Sequence, residues 1–268
     1  MYPDKIKPFE SWGLDLGFTL YGVFIALGIL ACFLVFYFYT KKMKMPEKVQ
    51  DFGFINAVVA ILIGFLFAKL YQAFYNYLET GYFDFYSSGI TVMGGIIGGA
   101  LTFILGYFVV GKFVFKRKEK NLHLKEFPKI LQVAPACIAV AHAFGRLGCL
   151  MAGCCHGKYL GSEYVVGGIY MRGGYYVPTQ LYEALFLFAL FVVLSLLYFR
   201  RSNLCMSVYL IAYGIWRIFI EFLRTDNRGA FVLGLSPSQW QSFLFIILGV
   251  ALILIYKIRK KPWSFDID

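Results

Sequence analysis

Seven stretches of about twenty or more mostly apolar residues divide this chain, and each is long enough to cross the hydrocarbon core of a bilayer as a helix. They lie near Leu14 to Tyr39, Phe52 to Tyr71, Ile90 to Phe113, Ile130 to Leu150, Gln180 to Phe199, Leu204 to Phe222 and Gln239 to Tyr256. Inside lipid a backbone has no water to bond to, so each stretch must satisfy its own amides and carbonyls as a helix. The fold class expected is therefore an all-α integral membrane protein of seven transmembrane helices. A hydrophobic content of 60%, an aromatic content of 20% and a mean hydropathy of +0.67 exclude a soluble globule.

The formal charge of +11 would suggest nucleic-acid binding in a soluble chain. Here the basic residues cluster between apolar runs, which is the pattern that orients spans in a membrane, and no nucleic-acid partner is expected. One set of loops carries Lys41, Lys42, Lys44 and Lys48, then Lys112, Lys116, Arg117, Lys118, Lys120, Lys125 and Lys129. To the same set belong Arg200, Arg201, Lys257, Arg259, Lys260 and Lys261. The opposite set has only Lys5, Lys7, Lys158, Arg172, Arg224 and Arg228, a bias of 17 to 6. The first set is read as cytoplasmic, with the amino terminus outside and the carboxyl terminus inside. The first apolar run is longer than the core of a secretory signal, so no cleavable signal peptide is expected. Residues 1–268 read as a single membrane domain, with 152–179, rich in Gly and Tyr, as an extracytoplasmic loop folded into a small cap or short hairpin.

Three basic residues fall inside spans: Lys69, Arg146 and Arg217. A charge at that depth is costly unless it is paired or lines a wet cavity, so each marks a functional site by default. Their distances along the second, fourth and sixth spans place all three in the outer half of the membrane. Tyr21 and Met93 fall early in the first and third spans, and Tyr182 and Glu183 open the fifth. A polar site facing the outer leaflet follows. His142, Arg146 and Cys149 share one face of the fourth span, at offsets of four and seven. His142 reads either as a satisfied packing residue or as a site residue one turn from a charge. In the sixth span Tyr213, Arg217, Glu221 and Arg224 also share a face, with an expected ion pair between Arg217 and Glu221. Glu183 is the other acid at this depth. The surplus positive charge suits an anionic lipid headgroup, because guanidinium binds phosphate with two parallel hydrogen bonds.

Gly94, Gly95, Gly98 and Gly99 form overlapping small-xxx-small pairs, the spacing of close helix packing. Close approach of backbone to a ligand near Met93 is the other reading. Among the cysteines, Cys32 and Cys137 sit in apolar runs as small hydrophobes, whereas Cys149, Cys154 and Cys155 cluster beside His156. Their spacing does not match paired C-x-x-C zinc ligands, and neighbouring cysteines seldom hold one ion together, so no metal and no cofactor are expected. A disulfide is permitted on the external side, and simple small-residue packing is also open.

With these residues in view the chain resembles the bacterial prolipoprotein diacylglyceryl transferases over nearly its whole length. The resemblance is carried by LYG around Tyr21, KLYQAFYN in the second span, GITVMGG in the third, GRLGCLMAGCCHG in the fourth, PTQLYE ending at Glu183, and YGIWRIFIEFLR in the sixth. It implies a multi-pass protein of the bacterial cytoplasmic membrane. Its partners would be membrane lipids, phosphatidylglycerol above all, and a secreted prolipoprotein whose signal peptide ends in a lipobox cysteine. The diacylglyceryl group would move to that cysteine's thiol with release of glycerol 1-phosphate. Arg146 and Arg217 correspond to the family's arginines, and Tyr21, Tyr182, Glu183, Glu221 and Arg224 would shape the headgroup pocket. Lys69, Met93, Gly94, Gly95, Cys149 and Tyr213 complete the expected binding set.

The chain departs from the family pattern at three points. Cys149 stands where the family has the asparagine of G-R-x-G-N, Ala152-Gly153-Cys154 replaces a later Asn-Gly-Glu, and Met93 replaces a histidine before Gly-Gly. A thioether is no base, which leaves His142 or His156 to deprotonate an acceptor thiol. A related lipid-headgroup transferase with another acceptor is the alternative, and a transporter or a thiol redox protein of the membrane follows it.

Overall fold

The structure, a computed structural model, describes residues 18–87, 89–115, 121–171, 173–224 and 234–259. Helix α1 is Leu20–Lys42, α2 is Glu47–Thr80 and α3 is Val92–Leu105, continued by a π-helical turn Gly106–Val110 and a short α4, Gly111–Val114. Helix α5 is Leu122–Ala152, followed by strands β1 (Tyr159–Gly161), β2 (Ile169–Met171) and β3 (Gly174–Tyr176), then α6 (Thr179–Phe199), α7 (Cys205–Glu221) and α8 (Pro237–Arg259).

Six of these stretches are long and apolar enough to cross a membrane: α1, α2, Met93–Val114, α5, α6 and α8. The stretch expected as the sixth span is α7, whose 17 residues extend about 26 Å, somewhat less than a hydrocarbon core of about 30 Å. Large apolar side chains stand exposed along these helices, among them Leu30, Leu34 and Phe38 on α1 and Leu244, Ile247 and Leu254 on α8. Faces of this extent belong against lipid rather than water.

The chain forms two compact units, Met1–Tyr39 with Lys129–Asp268, and Thr40–Pro128. In the second of these, α2 and α3 pack through glycine. A Cβ on Gly94 would lie 2.8 Å from the Phe67 carbonyl oxygen, one on Gly95 3.5 Å from the Ala68 Cβ, and one on Gly98 would collide with the Phe67 Cβ. Close packing is thus what the four-glycine pattern does. A Gly98→Ala protein is expected to lose about 1–3 kcal/mol of stability through overpacking, read from unfolding in detergent. An unchanged unfolding midpoint would show that α2 and α3 can part without cost. Gly106 opens the π-helical turn, where Asn56 fills the space a side chain would occupy and donates from Nδ2 to the Phe103 carbonyl at 2.8 Å. The same carbonyl also takes the Gly106 N–H, so Asn56 adds a second donor beside the turn. Lys69 donates to the Tyr86 carbonyl at 3.3 Å and lies over the Phe85 ring. In the same loop the hydroxyl and backbone amide of Ser87 hold the Asp84 carboxyl below its usual range.

In the larger unit, α1 and α5 run antiparallel through small residues. A Cβ on Gly28 would lie 2.9 Å from the Ala141 carbonyl oxygen, and one on Gly148 would lie 3.2 Å from the Tyr21 ring. At its other end α1 meets α6, where Tyr39 stacks on Tyr198 at 4.3 Å and donates to Ser195 at 2.7 Å. Helices α7 and α8 approach at Gly214 and Gly249, which face the carbonyls of Ser242 and Ser207. The start of α8 is legible in SPSQ: Pro237 occupies the first turn, Gln239 N–H bonds Ser236 Oγ at 3.3 Å, and Ser236 N–H bonds Gln239 Oε1 at 2.9 Å.

The expected cap at 152–179 is a three-stranded antiparallel sheet of order β1-β3-β2 rather than a lone hairpin. Gly174 is required on β3 because a side chain there would collide with the Tyr159 ring. Backbone bonds extend the pairing below the sheet, with Gly157 N–H to Val177 at 2.8 Å and Lys158 N–H to Leu223 at 3.0 Å. The segments after α5, before α6 and after α7 are thereby laced together.

Candidate active site

Four helix ends of the larger unit meet beneath this sheet: the start of α1, the end of α5, the start of α6 and the end of α7. At their centre is Glu183, in the first turns of α6 and fully buried. Arg146 donates from Nη2 to Glu183 Oε1 at 3.0 Å, and its Nε stands 2.9 Å from Oε2 as an ion pair outside hydrogen-bond alignment. Tyr213 donates its hydroxyl to the same Oε1 at 3.1 Å, and His142 Nε2 lies 3.8 Å away. The His142 and Tyr213 rings meet edge to face at 5.3 Å. A carboxylate enclosed this way needs charge-assisted donors to remain ionised, and Arg146 and Tyr213 supply them.

One turn farther along α7, Arg217 pairs through Nη2 with Glu221 Oε2 at 2.9 Å, the i,i+4 pair expected from the sequence. Its Nη1 is buried without a hydrogen-bond partner among the described residues. Arg224, also buried, follows α7, where its backbone bridges to Gly157. Gly157 admits no side chain, since a Cβ would fall 2.5 Å from the Leu223 carbonyl oxygen. Arg146, Arg217 and Arg224 against Glu183 and Glu221 leave one net positive charge. Of the two arginines expected to be short of acid, Arg146 takes Glu183, which the packing of α6 on α5 brings in from 37 residues away.

Of the other expected residues in this unit, Tyr21 lies across Gly148 and stays exposed. Tyr182 points its hydroxyl toward the Gly167 carbonyl at 3.5 Å, and Cys149 occupies the last turns of α5. Lys69, Met93, Gly94 and Gly95 belong to the other unit. No disulfide joins any of the six cysteines. The sequence reading placed Gln180 among the polar residues opening the fifth span and assigned no role to Thr179; both are fully buried. Thr179 Oγ1 donates to the Cys155 carbonyl at 2.9 Å and Gln180 Nε2 to the Cys154 carbonyl at 2.5 Å. The signal was present in two polar residues opening an apolar span, where helix ends leave groups to be satisfied. His156 packs its ring on Tyr176 at 4.2 Å, with Nδ1 3.1 Å from the Gly157 carbonyl oxygen.

Residues 12–255 match the family profile described as prolipoprotein diacylglyceryl transferase. The chain belongs to this family. A phosphatidylglycerol–prolipoprotein diacylglyceryl transferase of Clostridium tetani is 34% identical, over 96% of this chain and 100% of its own length. Transferases of the same name from Clostridium perfringens and Dehalococcoides mccartyi are 33% and 32% identical, over 94% and 90% of this chain and the same shares of their own lengths. Similarity of this extent includes all the helices that build the site, and diacylglyceryl transferases are transferase enzymes.

Proposed function

We propose that this protein transfers the diacylglyceryl group of phosphatidylglycerol to the thiol of a lipobox cysteine in a secreted prolipoprotein, in the bacterial cytoplasmic membrane. The observation that carries this reading is the Arg217 guanidinium, which is buried, held by Glu221 through Nη2 and without a hydrogen-bond partner at Nη1 among the described residues. A phosphate oxygen is the acceptor that suits a guanidinium nitrogen in charge and in hydrogen-bond geometry. The acceptor sulfur attacks the glycerol carbon, a carbon–sulfur bond forms, and the carbon–oxygen bond to phosphate breaks. Glycerol 1-phosphate leaves with the bonding electrons, and the thiol proton passes to a base. Arg217 and Arg224 stabilise the charge on the departing phosphate. Arg146, locked to Glu183, fixes the floor of the site and leaves His142 as the neighbouring base. Tyr21, Tyr182, Tyr213 and Cys149 line the pocket.

The site residues open toward the external side in this reading, with the amino terminus outside, α7 as the sixth of seven spans and the sheet as the extracytoplasmic cap. The excess of Lys and Arg in the opposite loops supports that orientation.

Expression in a bacterium depleted of its own transferase is expected to restore growth and lipoprotein modification, while Arg146→Ala and His142→Ala proteins at equal abundance do not. The purified protein should release glycerol phosphate from phosphatidylglycerol only when a lipobox precursor is present. Release without precursor would point to a different acceptor, and no rescue despite good expression would reject the assignment.

A further inference from the structure

The thiols of Cys149, Cys154 and Cys155 converge: their sulfurs all lie within 4.8 Å of one another. Sequence spacing argued against a shared ion because it matches no paired C-x-x-C set and neighbouring cysteines seldom hold one ion together. The fold removes that objection. Gly153 and Cys155 both adopt positive φ, 64° and 59°, which coils the chain at the end of α5. Cys154 is turned back onto the helix, its sulfur 3.6 Å from the Cys149 carbonyl oxygen. The clamps from Thr179 and Gln180 then hold the backbone of Cys155 and Cys154 in place.

We infer that Cys149, Cys154 and Cys155 form a binding site for one thiophilic metal ion of the zinc(II) or copper(I) class. Thiolates select such ions over magnesium or calcium. Sulfurs around a tetrahedral ion with bonds of about 2.3 Å stand about 3.8 Å apart, so side-chain rotation alone closes the set. Binding of zinc replaces three thiol protons by three zinc–sulfur bonds and leaves the centre with one negative charge. Arg224 and Arg146 act electrostatically on the Cys155 sulfur and offset that charge. His156 is held away by Tyr176 and Gly157, so the three sulfurs leave a fourth position for water or another ligand. The site stands at the rim of the candidate active site and does not depend on the transferase assignment.

The test is metal content and cobalt spectroscopy of the full-length protein, purified in detergent under reductant and loaded with Zn²⁺ or Co²⁺. Roughly one ion per chain is expected, with a near-ultraviolet thiolate-to-cobalt charge-transfer band. Cys149→Ser, Cys154→Ser and Cys155→Ser proteins should each lose at least about tenfold in zinc affinity. Unfolding midpoints and elution profiles, compared without metal, identify any variant that fails to fold; Cys154→Ala then serves as the second variant. Absence of the band, zinc retained in the triple serine protein, or a disulfide among these residues in acid-quenched membranes would each overturn the inference.

Discussion

Replacing Arg217 with alanine is expected to slow diacylglyceryl transfer by about 10²–10³-fold, the usual cost of removing a preorganised group that stabilises developing charge. The effect should fall on kcat more than on KM, because the leaving phosphate gains charge only as the carbon–oxygen bond breaks. Arg217→Lys keeps the charge but cannot hold Glu221 and a phosphate together through separate nitrogens, so it should recover only part of the rate. A rise in KM with kcat intact would assign Arg217 to ground-state lipid binding. Full activity in the alanine protein would remove it from the chemistry.

The second large effect concerns stability. Glu183→Ala leaves the Arg146 guanidinium buried without its carboxylate and deprives Tyr213 of an acceptor. Loss of one partner from such a pair destabilises by about 3–5 kcal/mol, read from thermal or denaturant unfolding in detergent. Replacing both Arg146 and Glu183 with leucine should restore much of that loss while abolishing activity, since an apolar pair imposes no desolvation penalty. If Glu183→Ala unfolds as the unaltered protein does, Arg146 has another anion to hold it, and a bound lipid phosphate is then the candidate to remove by delipidation.

The residues at issue differ in how readily they could be identified. Arg217 and Glu221 were paired from spacing alone, because i,i+4 neighbours on a helix meet whatever surrounds them. The pair of Arg146 and Glu183 was only half visible: both were marked as buried charges, but their meeting depends on how α5 and α6 rotate against each other. Gly94 to Gly99 announced close packing, and the structure supplies the partners, Phe67 and Ala68. The π-helical turn at Gly106 was not read, and its neighbour Asn56 lies on another helix, 50 positions away. The cap illustrates the same limit. A glycine- and tyrosine-rich loop suggested a small cap or short hairpin; it holds three strands, and β1 pairs directly with β3 although β2 intervenes in sequence.

By itself the sequence determined the membrane class, the positions of the helices and which charges lie within them. These are local properties: the length of an apolar run decides whether a helix can span, and a guanidinium inside one is conspicuous wherever it points. Only the tertiary structure decided that Arg146 belongs to Glu183, that Arg217 keeps an open nitrogen, and that three thiols separated by spacing come together in space. Those outcomes rest on the mutual rotation of packed helices and on two left-handed residues at one helix end. The first of these is not encoded in any single stretch of the chain.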